Sequence, residues 1–271
     1  MSYVPTGPWN FVKQLQYVEE STYGVTPTTP TFIHPGPIQD FSTTIEVENI
    51  KYRQLGSRDI YSLIKSGEAY MFEVRFTPIG SALINYGISL PNGTGTIEKS
   101  LSFVYSQRLN GTEYYTFLKG CKCDSIDYEI VADAVHDVTM SFICREITTP
   151  NTAHGLTTPV FASNPSAAPW TGFESGSAPF TFNSNTIDVP RFSFSVTNNL
   201  EKIRPNGETL AKFVEPTNRE VTFEFDHWEK DTALIADNKA LTARAGTYKL
   251  TGASSTPANL TATFTDMYIE S

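Results

Sequence analysis

The stretch FSTTIEVENIKYRQLGS at Phe41–Ser57 recurs in outline 151 positions later, at Phe192–Glu208, as FSFSVTNNLEKIRPNGE. The same offset runs without a gap from residue 38 to residue 96, and 13 of these 59 positions carry identical residues in both copies. Alternation of apolar residues alone would not also preserve SALI at 81–84 as TALI at 232–235. The repeat therefore predicts an internal duplication, with two equivalent units in one chain.

The composition favours short strands joined by many turns. Of the 271 residues, 39% are hydrophobic and 13% aromatic, which is enough apolar material for packed cores. Only 18% of the residues are charged, and Gly and Pro each occur 17 times. This composition predicts an all-β fold. One helical segment follows the paired strands in each copy, so we expect one short helix per unit.

Changes in composition divide the chain into three parts. We expect a first β domain at 1–146 with an N-terminal arm and an extra hairpin, a linker at 147–178 and a second β domain at 179–271. Each domain contains a long connection between two strands, at 48–67 and at 199–218. Long connections retained in both copies are more typical of functional loops than of accidental insertions.

The charge balance argues against a protein that grips nucleic acid. Twenty basic and 29 acidic residues give a formal net charge of −9, whereas phosphate binding needs clustered Lys and Arg. No run of 18 apolar residues could span a bilayer, and the N-terminal residues do not resemble a signal peptide. We therefore expect synthesis in a cytoplasm and no membrane association. In a reducing compartment Cys121, Cys123 and Cys144 are expected to be free thiols.

The sequence shows no signature of catalysis. The four histidines lie in different segments, without ligands at zinc spacing. The chain contains no G-x-S-x-G elbow, no P-loop and no G-x-G-x-x-G. We therefore predict that the protein is not an enzyme and holds neither a cofactor nor a metal ion.

Three segments carry a resemblance to a known family: YVEESTYGVTPTTPTF, GSRDIYSLIKSGEAYMFEVRFTP and GCKCDSIDYEI. In their order and spacing they resemble the tail tube proteins of long-tailed, non-contractile viruses. The matching positions are Glu20, Tyr23, Gly24, Pro27, Gly56, Ser57, Arg58, Asp59, Gly120, Cys121 and Lys122. The sequence departs from the pattern at Val25, where the family usually has Gly-Thr.

The resemblance implies two tandem β-sandwich or barrel domains of tail-tube type. It implies stacked rings whose inner sheets join around a channel that conducts DNA without binding it specifically. It also implies a place in the virion tail, with the tail initiator or distal tail protein, the tail terminator protein and the tape-measure protein as partners. A duplicated chain could close a pseudo-six-fold ring from three copies, while six chains per ring remain the alternative.

Two sets of residues are the candidates for these roles. The arm and the long connections offer contacts between subunits or rings at Tyr23, Pro27, Arg53, Arg58, Asp59, Arg204 and Glu208. The predicted hairpin that follows Lys122 exposes acids which could line a channel and repel DNA, at Asp127, Glu129, Asp133 and Asp137. For each residue taken singly, an ordinary solvated charge is an equally good interpretation.

Other classes of protein remain open from the sequence. A carbohydrate-binding or adhesive β-sandwich of a virion or cell surface could use Trp170, Trp228 and tyrosines to stack on sugars. A hydrolase with an unrecognised carboxylate pair is a further alternative. Tail completion and spike-hub proteins share the sandwich, although usually not the duplication.

Overall fold

In the computed structural model, most of the described residues form strands, and one short helix lies among them. The described residues are 11–53, 55–56, 58–88, 99–109, 112–131, 134–163, 180–182, 185–186, 190–226, 244–250 and 260–267. In the first part of the chain the elements are β1 (Phe11–Glu19), β2 (Ile38–Arg53), β3 (Ile60–Phe76), α1 (Ala82–Ile88), β4 (Leu101–Leu109), β5 (Thr112–Val131), β6 (Asp137–Cys144) and β7 (Glu146–Ile147).

The remaining strands belong to the second part of the chain. They are β8 (Phe180–Phe182), β9 (Asn185–Thr186), β10 (Arg191–Thr197), β11 (Leu200–Ile203), β12 (Phe213–Pro216), β13 (Glu220–Phe225), β14 (Arg244–Leu250) and β15 (Leu260–Met267). The expected predominance of β-structure and the helix after β3 are confirmed. The helix expected in the second unit, after Asp226, lies outside the described residues, and tandem domains stay a prediction.

The long strand β5 belongs to two sheets. Its first half pairs with β4, which pairs with β1, while the short β7 lies on the other side of β5. Its second half lies between β6 and β10 in a six-stranded antiparallel sheet of order β13-β10-β5-β6-β3-β2. The change of sheet occurs near Gly120, whose φ of 62° lies in the left-handed region that favours glycine.

One apolar core fills the space between the two sheets. Alternate residues of β3, β5 and β6 point into it, and Phe72 and Phe142 stack there with ring centroids 4.6 Å apart. Strand β10 adds Phe192, Phe194 and Val196 to the same core. Helix α1 covers the core through two of its buried residues, Leu83 and Ile84. Thus β10, from the second half of the sequence, is packed into the core of the first half.

The sequence predicted a long loop between paired strands at 48–67 and another at 199–218, and both predictions are wrong. In the first, β2 and β3 continue as a hairpin through residues 49–65, with a register irregularity between Glu48 and Asn49. In the second, β11 and β12 form a short ladder beyond β10 and β13. The sequence reading stopped the strands where the alternation changes phase, but an extra residue in a ladder changes the phase without ending the hairpin.

The two hairpins have the same register at the offset of 151. Adding 151 to both members of the pairs Phe41↔Val74, Ile45↔Tyr70, Asn49↔Lys65 and Tyr52↔Ser62 gives Phe192↔Phe225, Val196↔Val221, Leu200↔Pro216 and Ile203↔Phe213, all of which are observed. Both ladders lose one residue of register in the same interval. In the first ladder the loss lies between Glu48↔Gly67 and Asn49↔Lys65, and in the second it lies between Thr197↔Glu220 and Leu200↔Pro216. The order β8-β14-β15 also follows the order β1-β4-β5.

The arm and part of the expected linker lie against each other. In the arm, Phe32 is buried and stacks on Phe161 with ring centroids 5.3 Å apart. Backbone hydrogen bonds join Phe32 to Val160 and Thr148 to Phe117. Residues 147–163 are therefore held on the first sheet by both backbone and aromatic contacts.

Candidate functional site

The residues of two sequence motifs meet at the buried carboxylate of Glu20. Its oxygens accept hydrogen bonds from the backbone N–H groups of Gly24 and Gly120, each at 2.8 Å. The hydroxyls of Ser100 and Ser102 donate to the same carboxylate at 2.6 and 2.5 Å. Four donors thus satisfy a side chain that is only 6% exposed, and they tie the arm to β4 and to the bend of β5.

Close packing around Gly120 accounts for the glycine of the GCK motif. A Cβ atom at Gly120 would lie 2.8 Å from Cβ of Arg145 and 3.1 Å from Cζ of Tyr23. With the positive φ, these contacts leave no room for a larger residue. The motifs are therefore explained by the packing where the arm crosses β5.

The three cysteines are buried free thiols. Cys121 and Cys144 lie side by side on β5 and β6, with sulfur atoms 2.6 Å apart. Burial raises the pKa of the Cys121 thiol well above its usual value, and the neighbouring Cys144 adds to this effect. The Cys121 thiol is consequently protonated at neutral pH and a poor nucleophile.

The six-stranded sheet presents a polar face on the side away from the core. We call this the polar face; its members are Asp40, Ser42, Glu73, Arg75, Ser125, Asp127, Glu129, Asp137, Thr139, Ser141, Arg191, Ser193, Ser195, Thr197, Glu220, Thr222 and Glu224. Each of the six strands contributes to this face, because alternate residues of a strand point to the same side.

The polar face forms an open depression of about 630 Å³ with an acidic lining. Six carboxylates and two arginines line it. Arg75 pairs with Asp137, and Arg191 donates to Glu129 at 2.9 Å. The hydrogen bonds to Asp137 and Glu129 raise the pKa of Arg75 and Arg191, so both arginines stay charged. The carboxylates nevertheless outnumber them.

Three of the four acids that are candidates for lining a channel, Asp127, Glu129 and Asp137, lie on the polar face. That this face lines a channel stays a prediction. The fourth, Asp133, lies outside the described residues. Sequence reasoning missed the acids contributed by β2, β3 and β13, namely Asp40, Glu73, Glu220 and Glu224. The alternation of these acids with core residues indicated that they point away from the core. The sequence did not show which strands are neighbours in the sheet, and so it did not show that these acids share one face.

The far end of the second hairpin, residues 200–216, folds back onto the first. We call this segment the second tip, and the matching residues 49–65 the first tip. Val214 and Ala211 of the second tip are 0% and 2% exposed and pack against Ile143 of β6, with Met71 of β3 beside them. The contact is dry and apolar, and no sequence signal indicated it.

Polar contacts fix the position of the second tip. Arg204 donates to Glu48 at 2.7 Å, and this hydrogen bond lowers the pKa of the Glu48 carboxyl. A Cβ atom at Gly67 would overlap the guanidinium of Arg204, so a larger residue there would push this side chain out of its present position. The backbone N–H of Glu68 donates to Thr209 O at 3.0 Å. The second tip is therefore docked on the base of the first hairpin.

The first tip, in contrast, is exposed and apolar. Its exposed large side chains are Ile50, Tyr52, Leu55, Ile60, Tyr61, Leu63 and Ile64, with exposed fractions from 40% to 102%. An isolated monomer rarely exposes so contiguous an apolar surface, which instead marks a site of protein contact.

The residues predicted to make contacts between subunits lie in several places. Arg53, Arg58, Asp59 and Glu208 are exposed, the last in the turn of the second tip. Tyr23 packs against the cluster formed by the docked second tip, and Arg204 of the same tip pairs with Glu48. Pro27 is half-buried in the arm. Their roles in assembly stay a prediction.

Within the described residues, no helix is both long and apolar enough to cross a membrane. In the same part of the chain, no group of three or more histidine, cysteine and acidic side chains could hold a metal ion.

The sequence matches the profile described as phage tail tube protein over residues 11–266. The chain therefore belongs to the phage tail tube protein family. No curated protein matches it. Among solved structures, it is similar to a chain in the cryo-electron microscopy structure of the anti-feeding prophage (AFP) baseplate, six-fold symmetrised. The identity is 12%, the TM-score is 0.36, and the match covers 55% of this chain and 96% of that chain.

Family membership defines the class of the protein. It is a non-enzymatic structural component of the virion tail, where a tube protein polymerises with itself and with other tail components. This finding favours the tube over the carbohydrate-binding module and the hydrolase. Trp170 and Trp228, the tryptophans considered for sugar stacking, lie outside the described residues.

Replacing Glu20 by alanine should strongly destabilise the chain. The change leaves four donors at a buried position without their acceptor, each at a cost of about 1–3 kcal/mol if unrelieved. We expect a loss of at least about 3 kcal/mol in the free energy of unfolding, measured with urea. The control is Glu19→Ala, since Glu19 is 39% exposed and pairs with Lys99 at the surface. Equal losses from both variants would refute the role of Glu20.

Replacing Val214 by aspartate should detach the second tip. The new carboxylate would lie unpaired in a dry contact, so the amides of residues 200–216 should exchange with solvent at least about tenfold faster. Phe213→Asp is the control, because Phe213 lies next to Val214 on β12 but is 45% exposed. Hydrogen exchange with mass spectrometry measures the difference. Unchanged exchange in Val214→Asp would contradict the docked arrangement.

Proposed function

We propose that the chain is an internally duplicated tube subunit of a non-contractile tail, which forms stacked rings around a channel that conducts DNA. The observation that carries the proposal is the six-stranded sheet, with one face in the core and an acidic face open to solvent. Strands from both halves of the sequence build this sheet without interruption. Repetition of the sheet around an axis would turn the polar face into the lining of a channel.

The edges of the sheet are suited to such repetition. Among the described residues, β2 pairs only with β3, and β13 pairs only with β10. Strand directions alternate from β2 to β13, so the two edges run in opposite directions and further copies can continue the sheet antiparallel. Pairing between copies would also use backbone groups that otherwise invite uncontrolled aggregation.

The repeated register supports two equivalent units and hence three chains per ring. Both hairpins have the same register, irregularity included, at the offset of 151. Two equivalent units per chain would give a pseudo-six-fold ring from three chains, while six chains with the second unit outside the ring is the competing arrangement. Two domains at 1–146 and 179–271 are part of this proposal.

The polar face gives a physical reason for passage of DNA without specific binding. A lining with six carboxylates and two arginines repels phosphates at distances up to the Debye length, about 8–10 Å at physiological salt. We assign this lining role to Asp127, Glu129, Asp133 and Asp137. Arg191 and Arg75 offset the charge of Glu129 and Asp137, so the net repulsion comes from the acids in excess of the arginines. Weak repulsion keeps DNA from adhering while it moves.

Contacts at the ends of the ring would complete the tube. We assign inter-subunit or inter-ring contacts to Tyr23, Pro27, Arg53, Arg58, Asp59, Arg204 and Glu208. Tyr23 and Arg204 would act indirectly, since both contact residues of their own chain. The tail initiator or distal tail protein, the tail terminator protein and the tape-measure protein are the expected partners during assembly.

Electron microscopy of the concentrated protein should show hollow rings or tubes of regular diameter. Native mass spectrometry of single rings should give three chains per ring, because each chain supplies two equivalent units. A count of six would refute the three-chain arrangement while leaving the tube role intact. A protein that stays monomeric up to its solubility limit, even when tail ends of the same virion are added, would contradict the tube role.

Reversing charge on the polar face should make the assembled protein bind DNA. In the variant Glu73→Lys/Asp127→Lys, two lysines replace two acids of the depression, so the repulsion falls and phosphates gain partners. We expect retention of double-stranded DNA at low salt, decreasing steeply as salt rises. The control is Glu113→Lys/Glu215→Lys, which adds the same charge outside the polar face. Retention by both variants would exclude a specific role for the polar face.

A further inference from the structure

The docked second tip and the exposed first tip are equivalent segments in different environments. At the offset of 151, Val214 corresponds to Leu63 and Ala211 corresponds to Ile60. Val214 and Ala211 are 0% and 2% exposed, whereas Leu63 and Ile60 are 59% and 40% exposed. Among the described residues, the same backbone ladder is therefore docked in one copy and exposed in the other.

The surface that receives the second tip also has an uncovered equivalent. We call Glu48, Gly67, Glu68 and Met71 the first base, which the second tip contacts; Glu48 stays 52% exposed, while Gly67 is buried and Glu68 and Met71 are partly buried. Their counterparts at the offset are Asn199, Asn218, Arg219 and Thr222, which we call the second base. All four residues of the second base are exposed. Each chain thus holds one complete joint, one exposed tip and one exposed base.

We infer that the first tip of one chain docks on the second base of another copy and reproduces the joint seen inside the chain. This inference rests on the proposed self-assembly and specifies one contact that closes the ring. A tip and a base on different parts of the same chain form a head-to-tail contact, and such contacts close into rings when the rotation allows.

The sizes of the side chains support a second copy as the occupant. Inside the chain, the small residues Ala211 and Val214 meet the large Met71. Between chains, the larger Ile60 and Leu63 would meet the smaller Thr222. In the joint inside the chain the large residue belongs to the base, and in the joint between chains the large residues would belong to the tip. The total side-chain volume at the contact is then similar, as similar packing density requires.

The joint between chains would keep part of the polar contact that is seen in the joint inside the chain. Arg204, which donates to Glu48, corresponds to Arg53, and Glu48 corresponds to Asn199. The ion pair inside the chain would become a hydrogen bond from the Arg53 guanidinium to the side-chain carbonyl of Asn199. The joint between chains therefore carries less opposite charge and more apolar surface than the joint inside the chain.

Cross-linking of introduced cysteines tests the contact directly. Leu63→Cys and Thr222→Cys are made in separate chains, mixed under assembly conditions and treated with a short bis-maleimide. The native thiols are buried, so the unmodified protein should give no covalent dimer. We expect the mixture to give a covalent dimer as the main product. Arg204→Cys/Glu48→Cys in one chain is the positive control and should cross-link within the chain, because these paired side chains are 21% and 52% exposed.

Ser62→Cys provides the matched negative control. Ser62 precedes Leu63 on β3, so its side chain points to the opposite face of the hairpin. Mixed with Thr222→Cys, it should give at least about fivefold less dimer than Leu63→Cys, because only one face of a strand meets a docked surface. In parallel, Leu63→Glu should raise the concentration needed for assembly at least about tenfold, since a carboxylate would enter a dry contact. Ser62→Glu should change it less.

The possible outcomes separate this inference from the proposed function. If rings or tubes form while the Leu63→Cys and Thr222→Cys mixture gives no more dimer than the Ser62→Cys mixture, the inferred joint is wrong and the tube role stands. If the unmodified chain forms no assembly under any condition, both are overturned. Preferential dimer formation through Leu63→Cys supports the joint.

Discussion

The hydrogen bond from the Gly120 backbone N–H to the buried Glu20 carboxylate is the constraint on which the rest of the structure depends. At Gly120 the strand β5 leaves the sheet of β1 and β4 and enters the sheet of β6 and β10. Glu20 holds this bend and also binds the arm and β4. The position of the bend decides which face of the later sheet is apolar, because side chains alternate along the strand.

The ladder between β5 and β10 connects that bend to the second half of the chain. Seven residue pairs, from Arg191↔Val131 to Thr197↔Ser125, form this ladder. At its end the Asn198 side chain donates to backbone carbonyls of Gly87 and Cys123, so that α1, β5 and β10 are fixed together. Strands β10 and β13 of the second half therefore share one core and one polar face with the first half, even though the sequence repeats as if the halves were separate.

Local patterns in the sequence predicted the local structure well. Alternation gave the β5–β6 hairpin and the common face of Asp127, Glu129 and Asp137, and the proline and glycine positions indicated α1. The continuation of the hairpins past Glu48 was missed because a register irregularity looks like the end of a strand. Docking of the second tip could not be predicted from the sequence. Val214 and its counterpart Leu63 are both apolar, and Val214 is buried because other residues lie against it, which is a property of tertiary structure.

The joint inside the chain has an entropic consequence for any polymer built from this repeat. A joint that forms within one chain involves no loss of the translational freedom of a second molecule, and tethered partners meet at an effective concentration on the order of millimolar. In an assembly with equivalent joints, half of them would form when each chain folds. The remaining half would need encounters between molecules. Nucleation would then require fewer independent collisions than for single-unit subunits, and each ring would gain or lose its units in pairs.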